Sequence, residues 1–283
     1  MEFWYPSLVE TVALLERFHG QLSPTLYILA TAGIAIETAI LAWRGGPRDK
    51  RSRWLGIRCG ALSFGIGGLF STLVLVTAQT WVYQHRLLDL GLGPAAWIVC
   101  FVANDLMYYF SHRLQHEVRF LWCIHIVHHS SRHYDLTAGV RGSMFDGLVR
   151  FPFYVWIPIL GIHPIIFVIL ETTFRFYGLA YHTEAIGKLG VVDGILVTPS
   201  NHRVHHGSNP KYLGCNYGGF CILFDRLLGT FRREDERPTY GLTSSWHGYQ
   251  LMDCQLHALR DLWRDVKSAR GLRRCIRIVV GPP

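Results

Sequence analysis

Four long apolar runs constrain the fold of this chain more than any other feature of its sequence. They cover residues 25–43, 57–83, 93–110 and 151–170, and the last has no formally charged side chain. Runs of about 20 apolar residues are typical of membrane-spanning helices. Only 17% of the 283 residues are charged, and a soluble core of this size cannot bury four such runs. The sequence therefore predicts an all-α integral membrane helical bundle.

The fourth run is expected to form a short helical hairpin. Gly161 and Pro164 divide it into segments of about 145–160 and 165–181. At 1.5 Å per residue, each segment reaches roughly 25 Å as a helix. Such a hairpin either just spans the bilayer or re-enters it, and the sequence leaves both possibilities open. The bundle then has about four to five membrane helices.

The basic residues set the expected orientation and the division of the chain. Lys and Arg are enriched in cytoplasmic loops, and the loop between the first two runs is rich in them. The third run then brings the first histidines to the same side, in a cytoplasmic histidine-rich cap. We expect N-terminal membrane helices in 1–92, the catalytic domain in 93–240 and a basic cytoplasmic or membrane-surface tail in 241–283. The net charge is +8, but the basic residues cluster at membrane boundaries, so nucleic-acid binding is not expected. The basic residues of the first loop are Arg44, Arg48, Lys50, Arg51 and Arg53.

Histidines supply the candidate chemistry. Eight of the 15 fall in three clusters, HRLQH, HIVHH and HRVHH. On a helix, residues three and four apart share a face, so each cluster can direct its imidazoles to one site. A shared metal site would also offset the cost of burying unpaired imidazoles. His182 is a ninth candidate ligand, and its alternative role is an interfacial histidine bonded to Glu184. The clustered residues are His112, His116, His125, His128, His129, His202, His205 and His206.

The number of histidines predicts two ions. Zinc sites take three or four protein ligands, so eight or nine imidazoles suit two ions with four or five ligands each. Imidazole binds iron, zinc and copper, and the residues alone do not separate iron from zinc. The seven cysteines form no CxxC pair, which excludes a cysteine zinc site and a disulfide scaffold.

The histidine motifs and the stretches around them resemble a known family. SHRLQHEVRFLW, HHSSRHYDLTAGVR, TPSNHRVHHGSNPKYLGCNYGG and FDRLLGTF are similar to the fatty acid hydroxylase/sterol desaturase superfamily, the membrane histidine-box diiron oxygenases. The similarity runs from about Asp105 to the C-terminus. Within the superfamily, the stretches look most like those of alkylglycerol monooxygenase-like members.

The resemblance implies a non-haem diiron monooxygenase that uses O2 to hydroxylate a C–H bond of an acyl, alkyl, sterol or isoprenoid lipid. It implies that the eight clustered histidines, with His182, are the iron ligands. Glu117 occupies the place of a required acidic residue, and Asp105 lies on the same helical stripe as the first cluster. Both carboxylates are expected at the catalytic site, where they would orient a histidine N–H.

Several alternatives and partners remain open. A desaturase on the same scaffold begins with the same hydrogen abstraction, and a zinc-dependent membrane hydrolase could use Glu117 as its base, although HExxH is absent. A cytochrome b5-like domain, a CxxC pair and a GxGxxG fingerprint are also absent. The expected electron donor is therefore separate: a ferredoxin, a cytochrome b5-type protein or tetrahydrobiopterin. The expected location is a bacterial inner membrane or the endoplasmic reticulum. The segment 207–219 either closes over the site or is a turn-rich connection.

Overall fold

A computed structural model describes residues 25, 28–43, 49–244, 246 and 248–283. The described residues form helices and turns without a β-strand, so the predicted all-α class is confirmed at that level. Arg44 and Arg48 of the basic loop lie outside the described residues. The helices are α1 (Ile28–Trp43), α2 (Lys50–Phe70), α3 (Val76–Gln84), α4 (Pro94–Glu117), α5 (Arg119–His129), α6 (Leu136–Gly139), α7 (Asp146–Tyr154), α8 (Pro164–Ala180), α9 (Pro199–His205), α10 (Leu223–Leu227), α11 (Leu251–Ser268) and α12 (Leu272–Val280).

The second apolar run forms the longest helix among the described residues. A π-helical turn, Ser71–Leu75, joins α2 to α3, so that Lys50–Gln84 is one continuous helix of 35 residues. Within the described part of the chain, this is the one helix long and apolar enough to cross a membrane. α1 is apolar but shorter.

The third run lies in α4, which extends past it. Pro94 occupies the first turn, where its missing N–H costs no helical hydrogen bond. The helix continues to Glu117 and so carries the first two clustered histidines on its last two turns. Val118 has an extended backbone between α4 and α5, and α5 packs against both α4 and α11.

The fourth run differs from the predicted hairpin in its first half. That half contains α7, of nine residues, and a 3-10 turn at Ile157–Leu160. Gly161 ends the turn with φ 81°, and a Cβ there would lie 2.3 Å from the Leu88 carbonyl oxygen. The expected 25 Å helix over 145–160 is therefore wrong, because the chain turns before that length is reached. The second half is a regular helix, α8, whose N-terminus His163 caps.

Two glycines of α2 let this helix lie directly against the segment that follows α5. A Cβ on Gly56 would lie 2.3 Å from the Thr137 carbonyl oxygen, and one on Gly60 would lie 2.8 Å from that of Val140. Small residues permit the same close approach of backbones between membrane helices. The contact connects the longest apolar helix to the segment after the second histidine cluster.

We expect Gly56→Ala to lower the free energy of unfolding by about 1–3 kcal/mol, because the added methyl overlaps a backbone carbonyl that cannot rotate away. Gly65→Ala on the same helix is the matched control, since nothing lies within 4 Å of its Cβ position. Thermal unfolding in detergent measures both variants. Equal melting temperatures for the two would show that the close contact does not form.

Candidate metal centre

Four segments bring the clustered histidines together. The end of α4 supplies HRLQH, and α5 supplies HIVHH. α9 supplies HRVHH; its short helix begins at a capping box in which the Thr198 and Asn201 side chains bond each other's backbone N–H. His182 follows α8 directly. The nine candidate ligands, which come from distant parts of the chain, thus converge on one buried layer.

The nine imidazoles separate into two groups, and each group offers ligand atoms that all lie within 4.8 Å of one another. Both groups draw on α5 and α9, so neighbouring residues in HIVHH and HRVHH serve different groups. The first group is His112, His116, His125, His129 and His205, and the second is His128, His182, His202 and His206.

Backbone carbonyls fix which ring nitrogen carries the proton in four of the nine. The Nδ1 of His112 donates to the Tyr217 oxygen at 2.9 Å, and that of His205 to the Cys215 oxygen at 2.9 Å. In the second group, His128 Nδ1 donates to Arg141 at 3.1 Å and His182 Nδ1 to Gly178 at 2.6 Å. A carbonyl oxygen can only accept, so each Nδ1 is protonated. In a neutral ring, Nε2 then presents a lone pair.

Burial keeps these rings neutral. It lowers the pKa of His128 to about 4 and that of His205 to about 3, although the carbonyl hydrogen bond of each ring opposes the shift. A neutral imidazole is the form that ligates a metal.

The facing ring nitrogens fit a bound cation. His128 Nε2 and His182 Nε2 are 3.2 Å apart, and both are lone pairs by the argument above. His202 and His206 direct their Nε2 atoms to the same point, at 3.0–3.2 Å from His182. Nitrogens bound to one ion at about 2.0–2.1 Å lie about 3.0–3.4 Å from each other. Without a cation, these lone pairs would repel.

The first group shows the same need for a cation. His125 Nε2 lies 3.1 Å from the Nε2 atoms of both His112 and His129. The buried Nε2 atoms of His116 and His205 have no hydrogen-bond partner. Buried polar atoms without a partner are rare in native proteins and point to an ion or water. The donor set of both groups therefore fits a metal ion such as iron or zinc.

The two carboxylates expected beside the histidines contact other groups. Asp105 accepts from the backbone N–H of Phe220 at 2.9 Å and of Cys221 at 3.2 Å. Glu117 is half-exposed and accepts from Arg113 at 2.7 Å. Neither bonds a histidine ring among the described residues, which differs from the expected orienting role. Carbonyl oxygens take that role instead.

The segment 207–219 is a turn-rich connection, as one of the two expectations had it, with a 3-10 turn at Pro210–Tyr212 before α10, and it also supplies carbonyls that orient the rings. The oxygens of Cys215 and Tyr217 lie in it. Asp225 fixes this segment, since its fully buried carboxylate accepts from the N–H groups of Tyr217 and Gly218, both at 2.7 Å, and from Thr230 at 2.7 Å. The sequence reasoning missed Asp225; its one signal was its place in FDRLLGTF.

The isolated histidines stay outside the two groups where the structure describes them. His163 caps α8, and His257 stacks on Trp246 with ring centroids 4.4 Å apart. His133 lies 3.8 Å from Asp49 near the surface. These positions agree with structural or surface roles.

The chain is similar in sequence to known proteins over most of its length. Residues 97–230 match the family model described as fatty acid hydroxylase. The chain is 34% identical to alkylglycerol monooxygenase of Xenopus tropicalis over 86% of its own length and 54% of the relative, and 34% identical to that of Homo sapiens over 86% and 56%. It is 30% identical to an ornithine lipid hydroxylase of Rhizobium tropici over 60% of its length and 52% of the relative. The chain spans about half the length of these curated relatives. No solved structure matches.

We expect Asp225→Asn to lower the affinity for a divalent metal by about 10–100-fold, because the segment that orients His112 and His205 loses its anchor. Asp261→Asn is the control, since Asp261 is an exposed acid on α11 that pairs with Arg264. Metal titration and far-UV circular dichroism separate affinity from folding. Unchanged affinity in a folded Asp225→Asn protein would contradict the role of this segment.

The metal-free protein should lose stability in acid. The pKa values of His128 and His205 in the folded state are about 4 and about 3, below the value of about 6.5 for an unfolded histidine. Between these values the unfolded chain binds more protons, so the free energy of unfolding falls as the pH decreases from about 7 to about 4. Denaturant unfolding of the protein at pH 7 and pH 5, with a chelator present, measures this change in the free energy of unfolding. The double variant His128→Gln with His205→Gln should show a weaker pH dependence; an equal one would contradict the assignment.

Proposed function

The chain belongs to the fatty acid hydroxylase family, and from this premise we propose that it is a membrane-bound monooxygenase that hydroxylates a C–H bond of a lipid with O2. One observation carries the proposal: nine imidazoles, six of them buried, meet in two groups whose ring nitrogens lie close together, and in four of the rings a carbonyl bond at Nδ1 leaves a lone pair on the inward-facing Nε2. The oxygenase and hydroxylase names of its relatives support the same reaction class.

Each histidine group would hold one iron ion. The first group offers five ligands and the second four. Bound there, two redox-active ions would supply the activation of O2 that such a reaction needs. The protein's own part is to keep the ligands neutral, to orient them through backbone carbonyls and to exclude water from the oxidant.

Aromatic rings close one side of the second group. The Tyr181 ring lies 4.4 Å from that of His202, and the Tyr134 ring lies 5.3 Å from that of His206. Tyr134 and Tyr181 are both buried, and the Tyr134 hydroxyl donates to the Tyr181 carbonyl at 2.9 Å. We propose that these two rings exclude water from the histidine layer.

The two acidic residues act at a distance from the rings. We propose that Asp105 holds the backbone at Phe220 and Cys221, behind the segment that orients the first group. Glu117 follows His116 directly at the end of α4 and pairs with Arg113, so it would hold the end of this helix at the edge of the site. Both would be positioning residues for the histidine layer.

A membrane location is supported by the exposed apolar surface of the long helices. Leu69, Leu73 and Trp81 on the Lys50–Gln84 helix are 60–62% exposed, and Ile98 on α4 is 65% exposed. Exposed apolar patches of this kind mark a membrane or a partner. We propose a multi-pass protein with the histidine layer on the cytoplasmic side, in a bacterial inner membrane or the endoplasmic reticulum.

The substrate would enter from the bilayer, and electrons would come from a separate protein or pterin. A ferredoxin, a cytochrome b5-type protein and tetrahydrobiopterin are the donor classes to be tested. The substrate classes are acyl, alkyl, sterol and isoprenoid lipids, and the names of the relatives suggest an alkylglycerol or an ornithine lipid for the first assays.

Two measurements test the proposal: the metal content of the purified protein and the mass of the lipid product. We expect about two irons per chain in the purified protein, and a product that gains one oxygen atom from 18O2 when lipid and a donor are supplied. A loss of two hydrogens would instead identify a desaturase. Two zincs, with no activity after iron loading, would overturn the redox function.

Two variants test the division into groups. His205→Gln should remove the ion of the first group and His182→Gln that of the second, each lowering bound iron from about two to about one per chain and turnover more than about 100-fold. His85→Gln changes an exposed histidine and should keep both. Loss of both ions in each variant would point to one shared site.

A further inference from the structure

The thiols of Cys59 and Cys254 lie together in the protein interior, outside the two histidine groups but next to the end of α5. Their Sγ atoms are 4.0 Å apart, and both side chains are fully buried. Cys59 lies on α2 and Cys254 on α11, so the pair joins the longest apolar helix to the C-terminal part of the chain. With Leu55 and Val127 they form one buried cluster.

A buried guanidinium lies beside this pair. Arg141 is 2% exposed and takes part in none of the ion pairs found among the described residues. It donates to the Ser130 hydroxyl at 3.1 Å and to Ser52, while its Nε has no partner. A buried charge without a counter-ion is costly. An anion close to Arg141 would therefore be stabilised.

Cys254 is the group placed to become that anion. Its Sγ lies 3.6 Å from the same Ser130 hydroxyl that Arg141 contacts, and the Cys59 thiol donates to it. It also lies in the first turns of α11, whose N-terminus favours negative charge. The hydrogen bond from Cys59 and the charge of Arg141 lower the pKa of Cys254 against the opposing effect of burial.

A small cavity opens next to these groups. Its volume is about 20 Å³, and Leu55, Ser130 and Arg141 line it. About 10–15 Å³ is enough to hold one water molecule, and hydrogen peroxide is only slightly larger. The cavity therefore has room for a molecule of this size against Ser130 and Arg141, the groups next to Cys254, although neither cysteine lines it.

We propose that Cys59 and Cys254 form a peroxide-sensitive dithiol site. The Cys254 thiolate attacks one oxygen of hydrogen peroxide, the O–O bond breaks, and the products are a sulfenic acid on Cys254 and, after protonation, water. The Cys59 thiol then attacks the Cys254 sulfur, a disulfide forms and a second water leaves. In total, two thiols are oxidised and one peroxide is reduced. The inference does not depend on the proposed function, because peroxide is its only reagent.

The first test needs no variant. The full chain in lipid nanodiscs is treated with hydrogen peroxide and quenched with N-ethylmaleimide, and its peptides are mapped without reduction. We expect a peptide that links positions 59 and 254, and a mass loss of two hydrogens per chain. Cys275 is more exposed than either, but among the described residues no second thiol lies beside it, so the linked pair should form about tenfold faster than Cys275 is oxidised.

Two variants follow the intermediate. Cys59→Ser removes the second thiol, so the sulfenic acid on Cys254 should persist and react with dimedone. Cys123→Ser is the matched control, because Cys123 is also buried and its pKa is raised to about 11 by burial; it should leave the linkage unchanged. Oxidation of Cys275 with both Cys59 and Cys254 still reduced would overturn the proposal. So would the absence of a dimedone adduct on Cys254 in folded Cys59→Ser protein.

Discussion

The lone pairs of neutral imidazoles facing one another inside the protein are the interaction on which the site depends. Burial removes the proton from the rings, and backbone carbonyls direct the remaining N–H away from the centre of each group. At the centre of the second group the lone pairs of His128 and His182 face each other about 3 Å apart, a separation that a bound cation would stabilise. The helix caps, the close glycine contacts and the buried carboxylates serve to keep these rings in place.

A site whose imidazoles are oriented by backbone carbonyls carries no negative charge of its own, unlike one whose imidazoles are oriented by carboxylates. Asp105, Glu117, Glu184 and Asp193 each bond to groups other than the histidine rings. Two divalent ions would therefore bring positive charge that the protein scarcely neutralises. With iron bound, a ligand set of this kind would favour its lower oxidation state, because each electron removed adds charge in a buried site. The excess positive charge of the bound ions would also attract an anionic or electron-rich ligand from outside the chain.

The sequence could predict the histidines because their geometry is local. The spacings in HRLQH, HIVHH and HRVHH place imidazoles on one face of a helix whatever the rest of the chain does, and the three clusters do meet. The orienting acceptors could not be predicted in the same way. The carbonyl that holds His112 belongs to Tyr217, and neither spacing nor residue type marks a carbonyl 105 residues away. Every residue has such an oxygen, so only the fold selects the one that is used.

The prediction for the first half of the hairpin was wrong for a related reason. Hydropathy measures where a segment can be buried, and 145–160 is apolar enough to be buried. Its backbone is set by Pro158 and by Gly161, which adopts a positive φ against the Leu88 carbonyl. Local backbone geometry thus overrode the length that the apolar pattern implied. The whole of α4, by contrast, combines an apolar start with a histidine-bearing end on one uninterrupted helix.

Two acidic residues that interrupt the apolar runs connect the apolar helices to the segments that carry the histidines. Glu37 on α1 accepts from the N–H of Leu136 at 2.6 Å and from the Thr183 hydroxyl, next to His182. Asp105 on α4 holds the backbone at 220–221. A carboxylate is costly in an apolar helix, and each of these offsets that cost by bonding to backbone close to the histidine layer. The acids in these two runs are therefore points where the apolar helices contact the backbone next to the candidate metal ligands.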